Sequence, residues 1–237
     1  MDKQLSFGAF SGDRMVGFIL NSCSIYQGVK AVFDVGTGVI PEHQGNKVFT
    51  NLFGFAQQQL QEQGIERYYL EVLQQNDRAI HAYQKQGFST EREFCVLNLT
   101  ANLPQDPALQ VSCVDLAAFD AHRFDDCTRV PPSYEHSDNL LRLHPELYSV
   151  AYRQQEQKLT AFCVFSKQDG RLIQLGYTTI DELRQVVRWL MSRYSRIVIK
   201  NIDKRCAEVL AMLHSLGAVE VAKQFEMVKE LRAEKKE

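Results

Sequence analysis

The sequence predicts a mixed α/β fold, of the α+β kind with a mixed sheet, arranged as two domains in tandem. The chain has 237 residues, more than one typical domain of about 100–150 residues holds. Segments of alternating polar and apolar residues, typical of strands, take turns with segments whose apolar residues recur every three to four positions, as in helices. The same order of elements occurs twice, and a Pro-containing linker at 102–107 separates the copies, so we expect domains at 1–101 and 108–237.

The first domain is predicted to open with three strands over residues 4–40. Turns at Gly12-Asp13 and Gln27-Gly28 separate these strands. Gly36 and Gly38 lie inside the third strand, where glycine predicts a bulge or the close approach of another backbone.

Two helices and two further strands are predicted to complete the first domain. One helix runs from Phe49 to Gly64, because its apolar residues lie on one face and glycine ends it. A β-rich run at 67–73 follows, and a second helix begins at the N-cap residue Asn76 and ends at Gly87. Residues 88–99 form the last strand.

The second domain is predicted to repeat this order after a strand at 111–114. Two helical stretches follow, one from Asp115 and one that ends near His144. Strands at 147–152, 159–166 and 171–177, a helix at 181–193, a strand at 196–202, a helix at 203–216 and a final strand pair complete the chain. The run RYYLEVL, a helix and Gly87 correspond to RIVIKNI, a helix and Gly217, which indicates a diverged duplication.

Charge and composition exclude several classes of function. Up to residue 100 there are 8 Lys and Arg against 10 Asp and Glu, and beyond it 19 against 19, so neither half offers a basic surface for nucleic acid or an anionic membrane. No apolar run approaches the roughly 20 residues of a membrane helix, and no signal-peptide pattern is present. Six cysteines without CxxC spacing and six scattered histidines predict reduced core thiols, no metal site and a cytoplasmic protein.

The loop 41–47, PEHQGNK, is a candidate phosphate site. It joins a strand that ends in Gly-Val-Ile to the start of a helix, where unpaired backbone N–H groups and the helix dipole attract anions. Lys47 and His43 are suited to add positive charge. The alternative is a plain strand–helix connection, because the loop has neither the Walker A nor the GxGxxG pattern.

Glu71 and Tyr83 are candidates for acid–base chemistry. Glu71 ends a predicted strand, and Tyr83 lies twelve residues later on the next helix. A carboxylate and a phenol facing one cleft are suited to act as general base and general acid. The alternatives are a solvated strand end for Glu71 and a core aromatic with its hydroxyl at the rim for Tyr83.

These features together resemble the GCN5-related N-acetyltransferase (GNAT) superfamily. The resemblance covers about residues 4–100 and follows the pattern V-x-P-x-x-[Q/R]-G, helix, strand, N-x-x-A-x-x-x-Y-x-x-x-G-F. The matching residues are Val39, Pro41, Gln44, Gly45, Asn76, Ala79, Tyr83, Gly87 and Phe88. A weaker resemblance over 109–232 keeps Gly217 and the run Gln224-Phe225-Glu226-Met227, so the whole chain looks like a tandem GNAT protein.

The resemblance implies an acetyl-CoA site between two strands that separate, one before the loop and one after the first helix. The pantetheine is expected to pair, like an extra strand, with the backbone of Gly38, Val39 and Ile40, and Asn76 to contact the cofactor arm. The pyrophosphate is expected on the loop amides of Gln44, Gly45, Asn46, Lys47, Val48 and Phe49.

The resemblance also implies catalytic roles. Tyr83 is the expected proton donor to the departing CoA thiolate. The Glu71-to-Tyr83 spacing resembles that of the ribosomal-protein N-terminal acetyltransferases, in which the strand glutamate is the base, and Asp34 on the preceding strand is a rival base. A base is needed because a primary amine, with a pKa of about 10, must lose a proton before it attacks a thioester.

The first domain departs from the family pattern in two ways. Lys47 and Phe49 stand where the family has small residues that let the pyrophosphate approach. The chain also begins at the second strand of the fold. We therefore expect the first strand and two helices to be missing, with an apolar face near Leu5, Phe7 and Phe18 open to water.

The second domain departs further, since TTIDELRQ replaces the phosphate loop and Leu213 and Asn201 occupy the tyrosine and glutamate positions. It is therefore predicted to be a degenerate, non-catalytic GNAT-like domain. The function expected of the chain is N-acetyl transfer from acetyl-CoA to a primary amine by direct attack in a ternary complex, without a metal. The alternative is a non-catalytic module that binds CoA weakly or holds a partner; the amine acceptor and a homodimer are left open.

Overall fold

The computed structural model describes residues 1–100, 103–120, 124–125 and 127–231. The strands within these residues are β1 (Asp2–Ser11), β2 (Arg14–Tyr26), β3 (Val29–Val39), β4 (Arg67–Leu73), β5 (Ser89–Thr100), β6 (Ser112–Asp115), β7 (Tyr148–Gln155), β8 (Lys158–Ser166), β9 (Leu172–Tyr177), β10 (Arg196–Asp203) and β11 (Val219–Glu230). The α-helices are α1 (Val48–Glu62), α2 (Asp77–Lys85), α3 (Asp138–Leu141), α4 (Ile180–Met191) and α5 (Ala207–Ser215). The alternation of strands and helices is as predicted.

The chain forms two compact units that differ from the predicted domains 1–101 and 108–237. Unit 1 contains residues 1–92 together with the chain from Phe225 onward, and unit 2 contains residues 93–224. A buried ion pair holds the end of β11 in unit 1, because Glu226 accepts from the guanidinium of Arg92 at 2.6 and 2.7 Å and both side chains are almost fully buried. This long-range pairing does not show in the local composition from which the linker was predicted. Residues 101–102, at the start of that linker, lie outside the described residues.

In unit 1 the strand order is β1-β2-β3-β4-β11. β1, β2 and β3 pair antiparallel, and β3 pairs parallel with β4. α1 and α2 cover one face, on which Ile19, Val32, Phe53, Tyr68 and Leu70 form the centre of the core. Apolar side chains every second residue on the strands and every three to four residues on α1 therefore meet in one layer.

The apolar face expected near Leu5, Phe7 and Phe18 is only partly open. Leu5 is buried in the unit 1 core, and Phe7 packs edge-on against Phe55 of α1, with ring centroids 5.6 Å apart. Phe18 remains 37% exposed. The expectation was wrong for Leu5 because its side chain points to the face that α1 covers.

In unit 2 the strand order is β5-β10-β9-β8-β7-β6. One face of this sheet packs against α4 and α5 through Leu172, Leu183, Leu190, Ile199 and Leu213. Along β8, Phe162 and Val164 point to the opposite face of the sheet, where they belong to a second core. The segment between β6 and β7 contributes Phe124 and Leu141 to this second core.

Two predictions for unit 2 were wrong. In the described part of 115–144 there are only short 3₁₀ turns and the four-residue α3 instead of two helical stretches. Pro131, Pro132 and Pro145 lack the N–H that a continuing helix requires. The expected final strand pair is the single twelve-residue strand β11.

Candidate active site

β3 and β4 separate after three residue pairs. The parallel register is Ala31 with Arg67, Val32 with Tyr68 and Phe33 with Tyr69, whereas β3 stays paired with β2 as far as Val39. Residues 34–39 of β3 and 70–73 of β4 therefore border a gap. An extended ligand can add to such backbone edges in the manner of a strand. This is the strand separation that the sequence resemblance implied.

A β-bulge at Val35 shapes the β3 side of the gap. Asp34 pairs with Asn21 and Gly36 with Leu20, so Val35 is one residue in excess. In a regular strand, side chains three residues apart point to opposite faces. The bulge brings Thr37 onto the face of Asp34, and the Thr37 hydroxyl donates to Asp34 Oδ2 at 2.6 Å. The glycines of β3 correctly predicted a bulge in this strand.

Gly38 allows β3 to approach the ring of Phe18 on β2 closely, beside the gap. A Cβ at this position would come within 2.9 Å of the Phe18 ring on β2. Its place in β3, next to Val39, puts a small residue where the strand leads into the loop. Ile40 follows, and its N–H donates to Val16 O at 3.0 Å, so this amide is already used within the protein.

The loop from Ile40 to Lys47 ends at an uncapped helix N-terminus. Lys47, at the N-cap position of α1, has a left-handed backbone with φ of 59° and no side-chain cap bond, and the first turn contains no acid. Gly45 is also left-handed, with φ of 80°, a conformation that costs glycine little. The Gln44 side chain stabilises the loop by donating from Nε2 to Val39 O at 2.9 Å. Unsatisfied N–H groups without a nearby acid favour an anion.

A groove of about 520 Å³ is lined by the end of β3, this loop, the start of α1 and α2. Of the residues predicted to bind the cofactor, it is lined by Gly38, Val39, Gln44, Gly45, Lys47, Val48, Phe49, Asn76 and Tyr83. Ile40 and Asn46 are not among its lining residues. Thr37, Thr50 and Arg78 also line it and were not predicted, while His43 was noted only for its charge. Arg78 follows Asp77 in the first turn of α2. Its position close to the N-cap residue Asn76 was the sequence signal from which it could have been predicted as a groove residue.

Phe49 packs to the side of the groove. Its ring lies edge-on to Tyr83, with centroids 5.6 Å apart, and near Phe53 at 5.9 Å. The large Phe49 side chain, which replaces a small residue of the family pattern, therefore packs against α2 and the core. This contact helps to hold the Tyr83 ring.

Asn76 caps α2, as predicted, and so positions Tyr83. Its Oδ1 accepts from the Ala79 N–H at 3.2 Å, and Gly87, with φ of 88°, ends the helix region. Tyr83 lies two turns into α2 and packs against Phe88, with ring centroids 5.5 Å apart.

Tyr83 and Asp34 form a hydrogen-bonded pair at the head of the gap. The Tyr83 hydroxyl donates to Asp34 Oδ2 at 2.9 Å. Asp34 is 9% exposed, and its second oxygen, Oδ1, is buried without a hydrogen-bond partner among the described residues. Burial raises the pKa of the Asp34 carboxyl, although the bonds from Thr37 and Tyr83 oppose this. Burial, then the charge of Asp34, raises the pKa of Tyr83, so this hydroxyl keeps its proton at neutral pH.

A second tyrosine, which is fully buried, lies beside this pair. Tyr68 donates to Asn21 Oδ1 at 2.6 Å, and Asn21 Nδ2 donates to Leu5 O at 2.6 Å. Burial, with the neighbouring Asp34 and Tyr83, raises the pKa of Tyr68 well above its ordinary value. Sequence analysis missed Asn21 and Tyr68 because each sits in an apolar strand whose partners are distant in the chain.

Glu71 borders the same gap from the other face of β4. Leu70 and Val72 pack into the core beneath the helices, and strand alternation turns Glu71 to the opposite face. Glu71 is half-buried and lies two residues beyond Tyr69, the last β4 residue paired with β3. A ligand that passes through the gap would have Tyr83 and Asp34 on one side and Glu71 on the other.

Unit 2 lacks the same groups at the corresponding places. Asn201 on β10 is buried with a left-handed φ of 57°, and its Nδ2 donates to Ser133 Oγ at 3.0 Å. Leu213 on α5 is buried in the apolar core. α4 begins two residues after β9 and is capped by Thr179, whose side chain accepts from the Glu182 N–H.

The described ranges contain neither a metal-binding cluster nor a membrane-spanning helix. No group of three or more His, Cys, Asp or Glu side chains in this part of the chain is arranged to hold a metal ion. Within the same residues, no helix is long and apolar enough to cross a membrane.

Comparisons with known proteins point to one family. Residues 1–88 match the model of the Acetyltransferase (GNAT) family. A sequence comparison with curated proteins gives no match. The chain is similar in structure to a GCN5-related N-acetyltransferase from Sphaerobacter thermophilus, with a TM-score of 0.63, 14% identity and coverage of 94% of this chain and 79% of that one.

Two further solved structures are similar over nearly the whole chain. A GCN5-related N-acetyltransferase from Anabaena variabilis has a TM-score of 0.60, 15% identity and coverage of 94% and 62% of the two chains. A tandem GNAT protein from the clavulanic acid biosynthesis pathway has a TM-score of 0.58, 12% identity and coverage of 96% and 83%. At these identities the likeness shows a shared fold, and the GNAT fold therefore extends across the chain.

Proposed function

Because residues 1–88 belong to the acetyltransferase (GNAT) family, we propose that the chain transfers an acetyl group from acetyl-CoA to a primary amine in a ternary complex. The observation that carries this proposal is the groove beside the end of β3, where β3 and β4 separate, with Tyr83 of the Tyr83–Asp34 pair in its wall. It combines an anion-attracting loop, an extended backbone edge and a half-buried proton donor.

The residues of the groove suit acetyl-CoA. The uncapped start of α1, with Lys47 and Arg78 among the lining residues, offers N–H groups and positive charge to a pyrophosphate. The backbone beside Gly38 and Val39 can pair with the amides of a pantetheine arm. Acetyl-CoA supplies a thioester, whose carbonyl carbon an amine can attack without a covalent enzyme intermediate.

We assign the role of base to Glu71. An ammonium acceptor must lose a proton before it attacks, and a half-buried carboxylate beside the gap can take it directly or through water. Asp34 is less suited to this role, because its Oδ2 already accepts from Tyr83 and Thr37 on the helix side of the sheet. Glu71 and Tyr83 on opposite sides of the gap would separate proton removal from proton delivery.

We assign the role of acid to Tyr83, with Asp34 as its positioning residue. The bond to Asp34 Oδ2 and the contact with Phe49 fix the phenol at the head of the gap. The Tyr83 O–H gives its proton to the leaving thiolate, which becomes a thiol, and the resulting phenolate regains a proton from water.

The proposal is tested by incubating the full chain with acetyl-CoA and a panel of amines, with free thiol as the readout. Amine-dependent release of CoA thiol is expected, and a thermal shift with acetyl-CoA alone reports binding, since a ligand of the folded state raises stability. Binding without thiol release for any amine would favour the non-catalytic alternative. Absence of both signals would contradict the proposal.

A further inference from the structure

A second cavity, of about 230 Å³, lies in unit 2 where β9 and β10 separate. The parallel register between these strands is Ile199 with Leu172 alone. Residues 173–175 of β9 and 200–203 of β10 then line the cavity from below. Described residues of the chain before α3 also line it, among them Phe124 and Pro132.

His136 is the most unusual group in the cavity wall. The side chain is 6% exposed, and its ring nitrogens make no hydrogen bond or ion pair with the described residues. Burial, reinforced by the charges of Lys200 and Arg171, lowers the pKa of His136 to about 3, so the imidazole is neutral at physiological pH. A neutral imidazole nitrogen is a good acceptor, and buried polar groups are nearly always paired. A bound ligand would satisfy this ring.

Two side-chain amides of the wall already donate within the protein. The amide of Gln174 donates to Asp138 Oδ1 at 2.7 Å and also to the His136 carbonyl, and the amide of Asn201 donates to Ser133 Oγ at 3.0 Å. Both side-chain amides therefore use N–H groups within the protein.

The charges along the wall have a negative balance. Asp125, Asp138 and Asp203 line the cavity, with Lys200 as the one cation among its described lining residues. Arg205 neutralises Asp203 through bonds of 2.9 and 2.6 Å. Two carboxylates thus remain against the ammonium of Lys200, while Arg171, whose charge also acts on His136, is paired with Asp169 at 2.8 Å. The rest of the wall includes Phe162 and Ile173, which suit an apolar body.

We propose that this cavity binds a small primary amine, with its ammonium between His136 and Asp138 and its apolar body against Phe162 and Ile173. The ammonium donates hydrogen bonds, which the neutral imidazole and the carboxylate can accept, and the imidazole does not repel its charge. This site belongs to unit 2 and does not depend on acetyl transfer in unit 1.

The proposal is tested on the full chain by NMR with labelled methyl groups and two probes of the same shape. Phenethylamine carries an ammonium and 3-phenylpropionate a carboxylate on similar bodies. Phenethylamine is expected to shift the methyl signals of Ile173 and Val130 in the cavity wall, and to bind about tenfold more tightly than 3-phenylpropionate. Signals of Val39 and Val48 report separately on the groove of unit 1.

Two substitutions sharpen the test. Asp138→Asn keeps an acceptor for Gln174 but removes the charge, so binding of phenethylamine at Ile173 should weaken about tenfold. Lys200→Gln is the matched control, which should leave that binding unchanged or tighten it. The proposal is overturned if phenethylamine shifts only Val39 and Val48 or no methyl group, if the carboxylate binds as tightly, or if Asp138→Asn has no effect.

Discussion

The junction between strand and helix differs sharply between the two units. In unit 1 eight residues, 40–47, connect β3 to α1, whereas in unit 2 only Thr178 and Thr179 connect β9 to α4. α1 starts without a side-chain cap or an acid, while α4 is capped by Thr179 and carries Asp181 and Glu182 in its first turn. A helix start favours an anion when its N–H groups are unsatisfied and no acid stands beside them. The pattern therefore favours phosphate binding in unit 1 alone.

The positions proposed as catalytic in unit 1 differ between the units in the same direction. Unit 1 has Glu71 on β4 and Tyr83 on α2, where unit 2 has Asn201 on β10 and Leu213 on α5. Leu213 is fully buried in the core of unit 2, where it packs at the position that Tyr83 occupies in unit 1. The comparison teaches that two units with a similar order of elements can both keep apolar packing while only one of them has the polar groups of the candidate site.

The largest effect is expected from Tyr83→Phe. The ring contacts with Phe49 and Phe88 remain, but the hydroxyl that donates to Asp34 is lost. Since general acid catalysis is worth about 10²–10⁴-fold, kcat should fall by that factor with little change in the KM for acetyl-CoA. The measurement is steady-state kinetics with the amine found in the thiol-release screen.

Tyr68→Phe is the matched control for this prediction. It also removes a buried phenol hydroxyl on the same face, but one that donates to Asn21. It should lower the melting temperature, and its effect on kcat should be much smaller than that of Tyr83→Phe. Equal kcat values for Tyr83→Phe and the unchanged chain would mean that Tyr83 has only a packing role. The proposed acid would then no longer distinguish unit 1 from unit 2.

The next effect is expected from Glu71→Gln. The substitution keeps the size of the side chain but removes the carboxylate assigned as base, so kcat/KM for the amine should fall about 10²-fold at neutral pH. The loss should shrink at high pH, where more of the amine is already deprotonated. A pH profile of kcat/KM measures this. Asn201→Gln at the corresponding place in unit 2 should leave the rate unchanged, and an equal loss there would contradict the proposed division of roles.

A smaller effect is expected from Lys47→Glu at the start of α1. One acetyl-CoA should bind per chain, and reversing this charge should weaken binding about tenfold by calorimetric titration. Lys158→Glu, an exposed lysine on β8 of unit 2, is the matched charge control and should leave the affinity unchanged. A stoichiometry of two would show that the short junction of unit 2 also accepts the nucleotide.

Local patterns predicted most of the elements but few of the contacts of the candidate site. The Asn76 cap, the Gly87 stop and the run 67–73 lie close together in sequence, and the structure has all three as expected. The bond from Tyr83 to Asp34 spans 49 residues, and that from Arg92 to Glu226 spans 134. Such pairs depend on strand order and on the bulge at Val35, which no local periodicity encodes.

The smallest effect concerns stability and tests the buried carboxyl of Asp34. Burial raises its pKa above the ordinary value of 3.8, so in the folded chain it holds a proton to higher pH than in the unfolded chain. The stability contributed by this proton is complete below 3.8 and is lost as the pH rises through the folded-state pKa. Asp34→Asn stays neutral, so its melting temperature relative to the unchanged chain should rise from pH 4 to pH 7.5. Asp115→Asn in unit 2 should show no such rise, because the hydrogen bond and charge of Lys167 lower the pKa of that exposed carboxyl, whose contribution to stability is lost only as the pH falls below 3.8. A difference for Asp34→Asn that stays constant over this range would mean that Asp34 ionises in the folded chain as readily as in water. The Tyr83 hydroxyl would then donate to an ionised carboxylate at neutral pH.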